Sequence, residues 1–324
     1  MKLADKFRER FGAQFKENEA LARHVNMRIG GPAAMFVEAR STQDLIDAVN
    51  MAQDFAVEYF ILGGGSNTLI ADKGFVGLVI KAANRSMRIE GDRVIVEAGV
   101  ISSAAARASA EAGLRGFEWA VSLPGTIGGA VRGNAGCFGG EMKDSVESVR
   151  VLRRGTVITI SNADLHFAYR HSLLKESEND DVVLDAVLKL TFGDRDEALA
   201  QIEKNLAGRK ATQPLGASSA GCMFKNVEWI DDTQMDRLQS RFDVPKEFLE
   251  RKRIPAGWII EKLGLKGVAV GDAEVSLQHG NFLMNKGHAT AADIVALVSR
   301  VKKHVTAEVG VVLEEEVVQI GFHS

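Results

Sequence analysis

The chain has 324 residues, which is enough for two or three domains that each bury a hydrophobic core. Its composition, 46% hydrophobic and 26% charged, is ordinary for a globular protein in water, and its net charge of −3 excludes a broad attraction to nucleic acid or acidic membranes. A charged amino terminus, the lack of an apolar run of membrane-spanning length and two widely separated cysteines predict a cytoplasmic protein without membrane insertion or disulfides.

Residues 1–80 predict a helix followed by a small βαβ-like unit. Ser41 and Thr42 are candidate N-caps, and the apolar residues after them keep the i, i+3/i+4 spacing of an amphipathic helix. The predicted elements are a helix or arm over 5–21, a turn over 26–33, a strand over 34–39, a helix over 41–52 and a strand over 60–62. The last strand leads into the glycine-rich turn G-G-G-S-N over 63–67.

Residues 81–212 predict a second subdomain, and a change of composition before Pro214 predicts a new domain over 213–324. The second subdomain has predicted strands over 87–89, 94–98, 146–152, 157–160 and 181–188, and helices over 102–112 and 196–210. The last domain has predicted helices over 255–262 and 290–304 and strands over 282–284 and 315–320. Its second helix begins with T-A-A-D, which is similar to a capping box.

Two glycine-rich segments are the most informative feature of the chain. The first is G-G-G-S-N over 63–67, and the second is S-L-P-G-T-I-G-G-A over 122–130, followed by N-A-G over 134–136. Because glycine lets the backbone approach a ligand closely, two such turns can direct several backbone N–H groups at one diphosphate. Their spacing matches neither the P-loop nor the Rossmann fingerprint. The alternative interpretation is two tight glycine turns between strands.

Four stretches in the carboxyl-terminal half combine residue types that can carry chemistry. They are Y-R-H-S over 169–172, S-A-G-C-M-F-K-N over 219–226, P-A-G-W-I-I-E-K over 255–262 and L-E-E-E-V over 313–317. Strand alternation puts Glu314 and Glu316 on one face and Glu315 on the other. On residue type alone, a surface ion pair for Arg170, a solvated strand position for Glu316 and a buried structural role for Cys222 are the commoner interpretations.

Taken together, these segments resemble the UDP-N-acetylenolpyruvoylglucosamine reductase family. The resemblance runs in family order from about residue 26 to residue 320, through N-x-R-I-G-G-P-A, G-G-G-S-N, S-L-P-G-T-I-G-G-A, Y-R, G-x-x-F-K-N and L-E-x-E-V. It implies an α+β fold with a vanillyl-alcohol-oxidase-type FAD-binding domain, whose two subdomains cover 1–80 and 81–212, and a smaller α/β substrate domain over 213–324. Because Y-R runs directly into Ser172 without a long insertion, the chain is similar to the shorter subgroup of the family.

The resemblance implies an NADPH-dependent flavoenzyme that makes UDP-N-acetylmuramate for peptidoglycan. In the family, N5 of the reduced FAD delivers hydride to C3 of an enolpyruvyl ether, and a proton donor then protonates C2. Arg170 matches the arginine that grips the substrate carboxylate, and Glu316 matches the glutamate that polarises this carboxylate or shares a proton with it. Cys222 stands where the family usually has serine and is the implied proton donor. A thiol, with a pKa of about 8.5, is a far stronger acid than an alcohol.

The resemblance also implies which residues bind FAD and the UDP-sugar. The implied FAD-binding residues are Gly63, Gly64, Gly65, Ser66, Asn67, Ser122, Pro124, Gly125, Thr126, Gly128, Gly129 and Asn134. The implied substrate-binding residues are Tyr169, Lys225, Asn226 and His279. The residues themselves leave open a solvated polar pair for Lys225 and Asn226 and a structural role for His279.

The sequence also predicts partners and excludes a metal. Seven histidines are scattered without metal-ligand spacing, so we expect no metal site, and Cys137 is expected to pack against the core rather than line the flavin pocket. We expect a monomer that binds NADPH and a UDP-sugar.

Two rival functions stay open at this point. A sugar or alcohol oxidase of the same fold would pass electrons to oxygen, but many such oxidases attach FAD through a histidine near the glycine loop, and 62–69 and 122–137 contain no histidine. A nucleotide-binding module that has lost turnover would have no reason to keep Arg170, Cys222 and Glu316 together.

Overall fold

The computed structural model describes residues 3–176, 181–214, 216–228 and 232–322, and its contacts divide the chain into two compact units. The first unit contains residues 1–19, 33–65 and 75–211, and the second contains 20–32, 66–74 and 212–324. Two short segments of the FAD-binding subdomain predicted over 1–80 therefore belong to the same unit as the predicted substrate domain.

Helices and strands alternate through both units. The helices are α1 (Leu3–Phe11), α2 (Thr42–Asp54), α3 (Ser102–Glu111), α4 (Ile127–Arg132), α5 (Met142–Ser145), α6 (Arg195–Thr212), α7 (Asp232–Arg241), α8 (Lys246–Glu250), α9 (Ala256–Lys262) and α10 (Ala291–Val309). The strands are β1 (Phe15–Ala20), β2 (Pro32–Ala39), β3 (Tyr59–Leu62), β4 (Thr68–Ile70), β5 (Phe75–Ala82), β6 (Met87–Glu90), β7 (Arg93–Glu97), β8 (Leu114–Arg115), β9 (Gly136–Cys137), β10 (Gly140–Glu141), β11 (Val146–Arg153), β12 (Thr156–Ser161), β13 (Val182–Lys189), β14 (Thr191–Phe192), β15 (Ser219–Cys222), β16 (Val227–Glu228), β17 (Arg253–Ile254), β18 (Ala269–Val270), β19 (Ala273–Val275), β20 (Phe282–Asn285) and β21 (Val318–Ile320).

The amino-terminal helix is shorter than its charge and apolar pattern predicts. α1 ends at Phe11, and Gly12 follows with a φ of +52°, a conformation that commonly ends helices. The ring centroid of Phe7 lies 6.1 Å from that of Phe11 and 6.0 Å from that of Phe15, so helix and strand share one aromatic cluster. Of the helix or arm predicted over 5–21, only the part up to Phe11 is helical, because β1 pairs with β2 after it.

The βαβ-like arrangement predicted for residues 1–80 is confirmed. The sheet has the order β1-β2-β5-β3, and β5 pairs in parallel with both β2 and β3. Between β2 and β3, α2 begins with a capping box: the Ser41 hydroxyl accepts from the Asp44 N–H, and the Asp44 carboxylate accepts from the Ser41 N–H. Because β3 ends at Leu62, the segment 63–67 starts at the carboxyl end of a parallel strand, where open α/β sheets bind ligands.

A second sheet of the first unit supports the segment 122–130. Its order is β12-β11-β13-β7-β6, and all of its pairs are antiparallel. Buried valine and leucine side chains of this sheet pack against α3 and α4. The N–H of Ile127 donates to the Val100 carbonyl and that of Gly128 donates to the Ala98 carbonyl, both over 2.9 Å. These bonds attach the start of α4 to the turn that follows β7.

The second unit combines an antiparallel sheet with the long helix α10. The sheet has the order β15-β20-β19-β18, and β4 forms a separate parallel pair with β21. Met27, Ile29 and Leu69 are buried in its hydrophobic core, which explains why 20–32 and 66–74 belong to this unit. The capping box of α10 at Thr290 and Asp293 is confirmed. Among the described residues, no helix is long and apolar enough to span a membrane.

Two features of the second unit differ from the sequence expectation. α7 and α8 lie in a region where the sequence analysis assigned no element. The strand predicted over 315–320 begins only at Val318, although Glu315 forms an isolated antiparallel bridge with Phe224. The backbone bends at Met223 and at Val317, next to this bridge.

Candidate active site

The two glycine-rich segments meet backbone to backbone in the first unit. A Cβ atom built on Gly64 would lie 2.7 Å from the Cα of Gly125, and one built on Gly63 would lie 2.6 Å from the Thr126 hydroxyl oxygen. Gly64 and Gly129 are exposed, whereas Thr126 is 7% exposed. Side chains at 63 and 64 would therefore separate the two segments, which leaves bare main chain and one hydroxyl at their junction.

Two buried hydroxyls at this junction fit an added anionic group. Within the described ranges, the hydroxyl oxygens of Ser102 and Thr126 have no hydrogen-bond partner. They belong to neighbouring segments, since the Ser102 N–H donates to the Gly125 carbonyl over 3.1 Å. An unpaired buried hydroxyl costs about 1–3 kcal/mol, and phosphate oxygens would accept from both hydroxyls. The residues present thus fit a diphosphate, and Ser102 is a candidate that sequence reasoning treated only as a helix start.

A side chain at position 128 would clash with Ala98. A Cβ atom at this position would lie 2.9 Å from the Cβ of Ala98, and the Gly128 N–H already donates to the Ala98 carbonyl. Gly129 differs, because a Cβ atom there would have no heavy atom within 4 Å. Of these two predicted cofactor residues, Gly129 therefore faces open space and Gly128 faces protein.

Ser122 lies at the end of a short 3₁₀ helix and contacts Cys137. Its hydroxyl oxygen is 3.6 Å from the Cys137 sulfur, and that sulfur lies 3.2 Å from the Trp119 carbonyl oxygen. Burial raises the pKa of the Cys137 thiol, which a hydrogen bond from Ser122 partly offsets. Cys137 also packs at the edge of the hydrophobic core, whereas Pro124, two residues after Ser122, is exposed.

Tyr169 and Arg170 form the two-residue tip of a tight turn. The N–H of Ala168 donates to the His171 carbonyl and the N–H of His171 donates to the Ala168 carbonyl, both over 3.1 Å. Arg170 has a φ of +54°, an uncommon backbone conformation for a residue with a side chain. Its guanidinium carbon lies 5.2 Å from the Tyr169 ring centroid, and its Nη2 lies 3.4 Å from the Gly136 carbonyl oxygen.

The Asn134 side chain holds the turn that carries Arg170 by a hydrogen bond. Its side chain is fully buried, and its Nδ2 donates to the Ala168 carbonyl and to a Glu141 carboxylate oxygen, both over 2.9 Å. Its Oδ1 accepts from the Lys143 N–H over 3.0 Å. The amide predicted to bind the cofactor thus makes three hydrogen bonds inside the protein, and one of them anchors the turn that carries Arg170.

Cys222 and Glu316 lie on neighbouring hydrogen-bonded segments of the second unit. The Glu316 N–H donates over 2.8 Å to the carbonyl of Met223, which directly follows Cys222. The Lys225 N–H continues the ladder by donating to the Glu314 carbonyl over 2.9 Å. Both Cys222 and Glu316 are half-buried. The ladder therefore fixes a thiol and a carboxylate, the two proton-bearing groups predicted for catalysis, on adjacent stretches of backbone.

Asn67 connects its segment to the extended segment that carries Glu316, just before β21. Its Nδ2 donates to the Glu316 carbonyl over 3.0 Å, and its own carbonyl accepts from the Val318 N–H over 3.1 Å. Ser66 lies near the Cys222 strand, since a Cβ atom on Gly221 would be 4.0 Å from the Ser66 carbonyl oxygen. Both residues were predicted to bind FAD, and Asn67 also braces the carboxylate strand.

The predicted substrate-binding residues of the second unit lie around the same ladder. The Lys225 ammonium donates to Glu314 over 2.9 Å in an exposed ion pair, and the Asn226 Oδ1 accepts from the Ala256 N–H over 3.3 Å. The His279 Nδ1 accepts from the Asn281 N–H over 3.2 Å. Glu315 faces elsewhere, because its carboxylate accepts from Lys302 and Gln319. Glu314 and Glu315 thus point apart, as strand alternation predicts.

The portion of the chain that the structure describes holds no cluster of three or more histidine, cysteine, aspartate or glutamate side chains arranged to bind a metal ion.

Both parts of the chain are similar to known protein families. Residues 33–161 match the family described as FAD binding domain, and residues 213–320 match the UDP-N-acetylenolpyruvoylglucosamine reductase, C-terminal domain. The UDP-N-acetylenolpyruvoylglucosamine reductases of Clostridioides difficile and Desulfosudis oleivorans are both 37% identical to the chain. The alignments cover 94% of the chain and 93% of the first relative, and 96% of the chain and of the second.

A solved structure shares the architecture. The crystal structure of UDP-N-acetylenolpyruvylglucosamine reductase from Thermus caldophilus aligns with a TM-score of 0.74 at 32% identity, covering 94% of this chain and 98% of that one. Together with the match to an FAD binding domain, this confirms the predicted fold class, in which an FAD-binding domain is combined with a second domain of mixed helices and strands.

Proposed function

The chain belongs to the UDP-N-acetylenolpyruvoylglucosamine reductase family and is an FAD-dependent oxidoreductase, and we propose that NADPH is its electron donor and Cys222 its proton donor. The reaction converts the enolpyruvyl ether of UDP-N-acetylglucosamine into UDP-N-acetylmuramate, a precursor of peptidoglycan. The monomeric state and the cytoplasmic location stay predictions.

One observation carries the assignment of the proton donor. The hydrogen bond from the Glu316 N–H to the Met223 carbonyl, 2.8 Å long, joins the strand of the carboxylate to the residue after the thiol. A proton donor must keep its position relative to the group that polarises the substrate, because small displacements slow proton transfer. This ladder supports a paired role for Cys222 and Glu316 in one reaction.

Each proposed catalytic residue meets one chemical demand. FAD held at the glycine-rich segments would, when reduced, supply a hydride for C3 of the enolpyruvyl group. Arg170 binds the substrate carboxylate through two N–H groups and stabilises the negative charge that spreads into it from C2. The Cys222 thiol gives its proton to C2, which completes the saturated ether, and the resulting thiolate regains a proton from solvent. Glu316 polarises the same carboxylate or shares a proton with it, which favours the negative charge that develops there.

The remaining assignments concern binding. The junction of Gly63 and Gly64 with Gly125 and Thr126, together with the unpaired hydroxyls of Ser102 and Thr126, supports FAD pyrophosphate binding. Tyr169, Lys225, Asn226 and His279 are proposed to bind the UDP-sugar. For Lys225 this requires exchange of an exposed ion pair with Glu314, which costs little because such pairs contribute about 0–1 kcal/mol.

The test is consumption of NADPH by the purified flavoprotein under anaerobic conditions. We expect oxidation of NADPH beyond one equivalent per flavin only when the enolpyruvyl substrate is added, with one molecule of UDP-N-acetylmuramate formed for each further NADPH. Oxidation that needs oxygen and ignores the substrate would indicate an oxidase and contradict the proposal. A colourless protein that binds no FAD would contradict it as well.

A further inference from the structure

Asn281 is a buried polar residue to which the proposed mechanism gives no task. It follows His279 and Gly280 in the segment L-Q-H-G-N-F and is 2% exposed. The sequence analysis selected His279 from this segment and passed over the asparagine. A buried amide is costly unless its donors and acceptor are paired, so its contacts are informative.

Both ends of the Asn281 amide bind the backbone of one residue, Phe224. The Oδ1 accepts from the Phe224 N–H over 2.9 Å, and the Nδ2 donates to the Phe224 carbonyl over 2.8 Å. The main-chain carbonyl of Asn281 accepts from the Met223 N–H over 2.8 Å. Asn281 therefore holds the two residues that directly follow Cys222.

The amide replaces a missing strand partner. The pairing of β15 with β20 shifts between Ser219–Met284 and Cys222–Phe282, so three steps on one strand match two on the other. Beyond this irregularity the side chain of Asn281, rather than a peptide group, pairs with Phe224. On the opposite edge the same segment is held by the backbones of Glu314 and Glu316. The backbone from Met223 to Lys225 is thus bound on both sides.

A second contact links Asn281 to the predicted substrate-binding histidine. The Asn281 N–H donates to the His279 Nδ1 over 3.2 Å. This bond requires Nδ1 to be unprotonated, so the neutral ring carries its proton on Nε2. The imidazole also packs edge-on against Phe282, with ring centroids 4.9 Å apart. The ring orientation and its donor nitrogen are thereby fixed.

We propose that Asn281 is a positioning residue that holds the Cys222 strand, and the His279 ring beside it, in the geometry needed for protonation of C2. The inference rests on the proposed role of Cys222. Removal of the amide would leave the N–H and carbonyl of the fully buried Phe224 unpaired, and each unpaired group costs about 1–3 kcal/mol. The strand would move to find other partners, and a shift of about 1 Å can slow a reaction about 100-fold.

The test compares Asn281→Ala with Asn285→Ala, a matched control at the end of β20, whereas Asn281 directly precedes this strand. The Asn285 side chain makes three hydrogen bonds, one more than the side chain of Asn281: it donates to the Met27 carbonyl and accepts from the N–H groups of Gly287 and Ala289. Stopped-flow absorbance measures flavin reduction by NADPH and flavin reoxidation by the enolpyruvyl substrate separately. For Asn281→Ala we expect reoxidation to fall about 30-fold or more while flavin reduction stays within about twofold. Asn285→Ala should change neither rate by more than about twofold.

A double-mutant cycle with Cys222→Ala shows whether Asn281 acts through the thiol. Once the thiol is absent, Asn281→Ala should slow reoxidation by less than about threefold, because there is no longer a Cys222 thiol for Asn281 to position. Alkylation of Cys222 gives a readout that does not depend on turnover: in a Cys137→Ala background, Asn281→Ala should change its rate and Asn285→Ala should not. Should Asn281→Ala fail to fold, Asn281→Ser takes its place in each measurement.

Three results overturn the inference in distinguishable ways. If Cys222→Ala is impaired and Asn281→Ala multiplies that loss in full, Asn281 acts independently of the thiol and only this inference fails. If Cys222→Ala reoxidises at the parental rate, the proposed proton donor is wrong, and the inference fails with it. Equal losses of the reoxidation rate in Asn281→Ala and Asn285→Ala would show that both residues only support the fold, which contradicts a positioning role for Asn281.

Discussion

The Arg170 turn and the Cys222–Glu316 ladder hold their predicted catalytic groups by different means. In the first unit a fully buried amide, Asn134, anchors a turn whose tip residue has a φ of +54°. In the second unit backbone hydrogen bonds join two extended segments, and another buried amide, Asn281, completes the outer edge. The turn presents one cation, whereas the ladder keeps two proton-bearing groups in fixed register.

This difference predicts different consequences of damage. A turn tip can change its side chain without disturbing the backbone that holds it, so substitutions there should act on charge. In the ladder, loss of one hydrogen bond can displace the neighbouring backbone, so substitutions there should change the positions of the catalytic side chains. The predictions below test this distinction from the largest expected effect to the smallest.

Removal of the Arg170 charge should have the largest effect. We expect Arg170→Ala to lower kcat/KM for the enolpyruvyl substrate about 100- to 1,000-fold, because the enolate charge loses its cationic partner, without changing the melting temperature by more than about 2 °C. Arg154→Ala is the control, since Arg154 is an exposed arginine that also has a positive φ, +47°. Steady-state kinetics and thermal unfolding separate the outcomes. Equal losses of kcat/KM in Arg170→Ala and Arg154→Ala would contradict a specific role for the Arg170 charge.

Removal of the anchor beneath the turn should affect both stability and kinetics. Asn134→Ala eliminates three buried hydrogen bonds and should lower the free energy of unfolding by about 2–3 kcal/mol. The freed turn should raise KM for the substrate about tenfold. Asn162→Ala, which removes two bonds from Asn162 to the Lys143 and Val146 carbonyls, should destabilise the protein and leave KM unchanged. An unchanged KM in Asn134→Ala would show that the amide does not position Arg170.

Substitution of Gly129, which faces open space, should affect FAD binding without disturbing the packing of the apoprotein. Gly129→Ala adds a methyl group where nothing lies within 4 Å, so the apoprotein should become about 0.4–1 kcal/mol more stable. FAD should nevertheless bind about tenfold more weakly if its phosphates occupy that space. Gly64→Ala should weaken FAD binding and also destabilise the apoprotein, because its methyl group would approach the Gly125 backbone to 2.7 Å. Fluorescence titration with FAD measures both, and unchanged affinity in Gly129→Ala would remove that residue from the site.

The smallest expected effect concerns the second thiol. Burial raises the pKa of Cys137, so less thiolate is present at pH 8 than for a free cysteine. In a Cys222→Ala background, iodoacetamide should react with Cys137 more slowly than with free cysteine, and the rate should still rise above pH 9. Reaction at the free-cysteine rate at pH 8 would contradict the raised pKa.

The fold was largely predictable because local signals agreed with the tertiary structure. The N-cap at Ser41, the capping box at Thr290 and the alanine-rich run from Ser102 each depend on neighbouring residues, so the sequence contains the information. The helical interpretation of the helix or arm predicted over 5–21 fails beyond Phe11, because pairing of β1 with β2, a contact between distant residues, outweighed the local pattern.

The site was predictable in residue type but less so in role. Asn134 and Asn67 lie beside glycine segments, and their short amide side chains suit a ligand or a backbone group equally. Only the structure shows that Asn134 binds Ala168 and that Asn67 binds Glu316. Asn281 gave no signal beyond a polar residue at the start of an apolar strand, because its importance comes from a pairing shift between β15 and β20.

Stopped-flow kinetics of Cys222→Ala test the central claim most directly. NADPH should reduce the flavin of this variant within about twofold of the parental rate, and the enolpyruvyl substrate should reoxidise it at least about 100-fold more slowly, because C2 lacks its proton donor. Cys222→Ser should recover part of the loss. Reoxidation of Cys222→Ala at the parental rate would contradict the assignment of Cys222 as the proton donor.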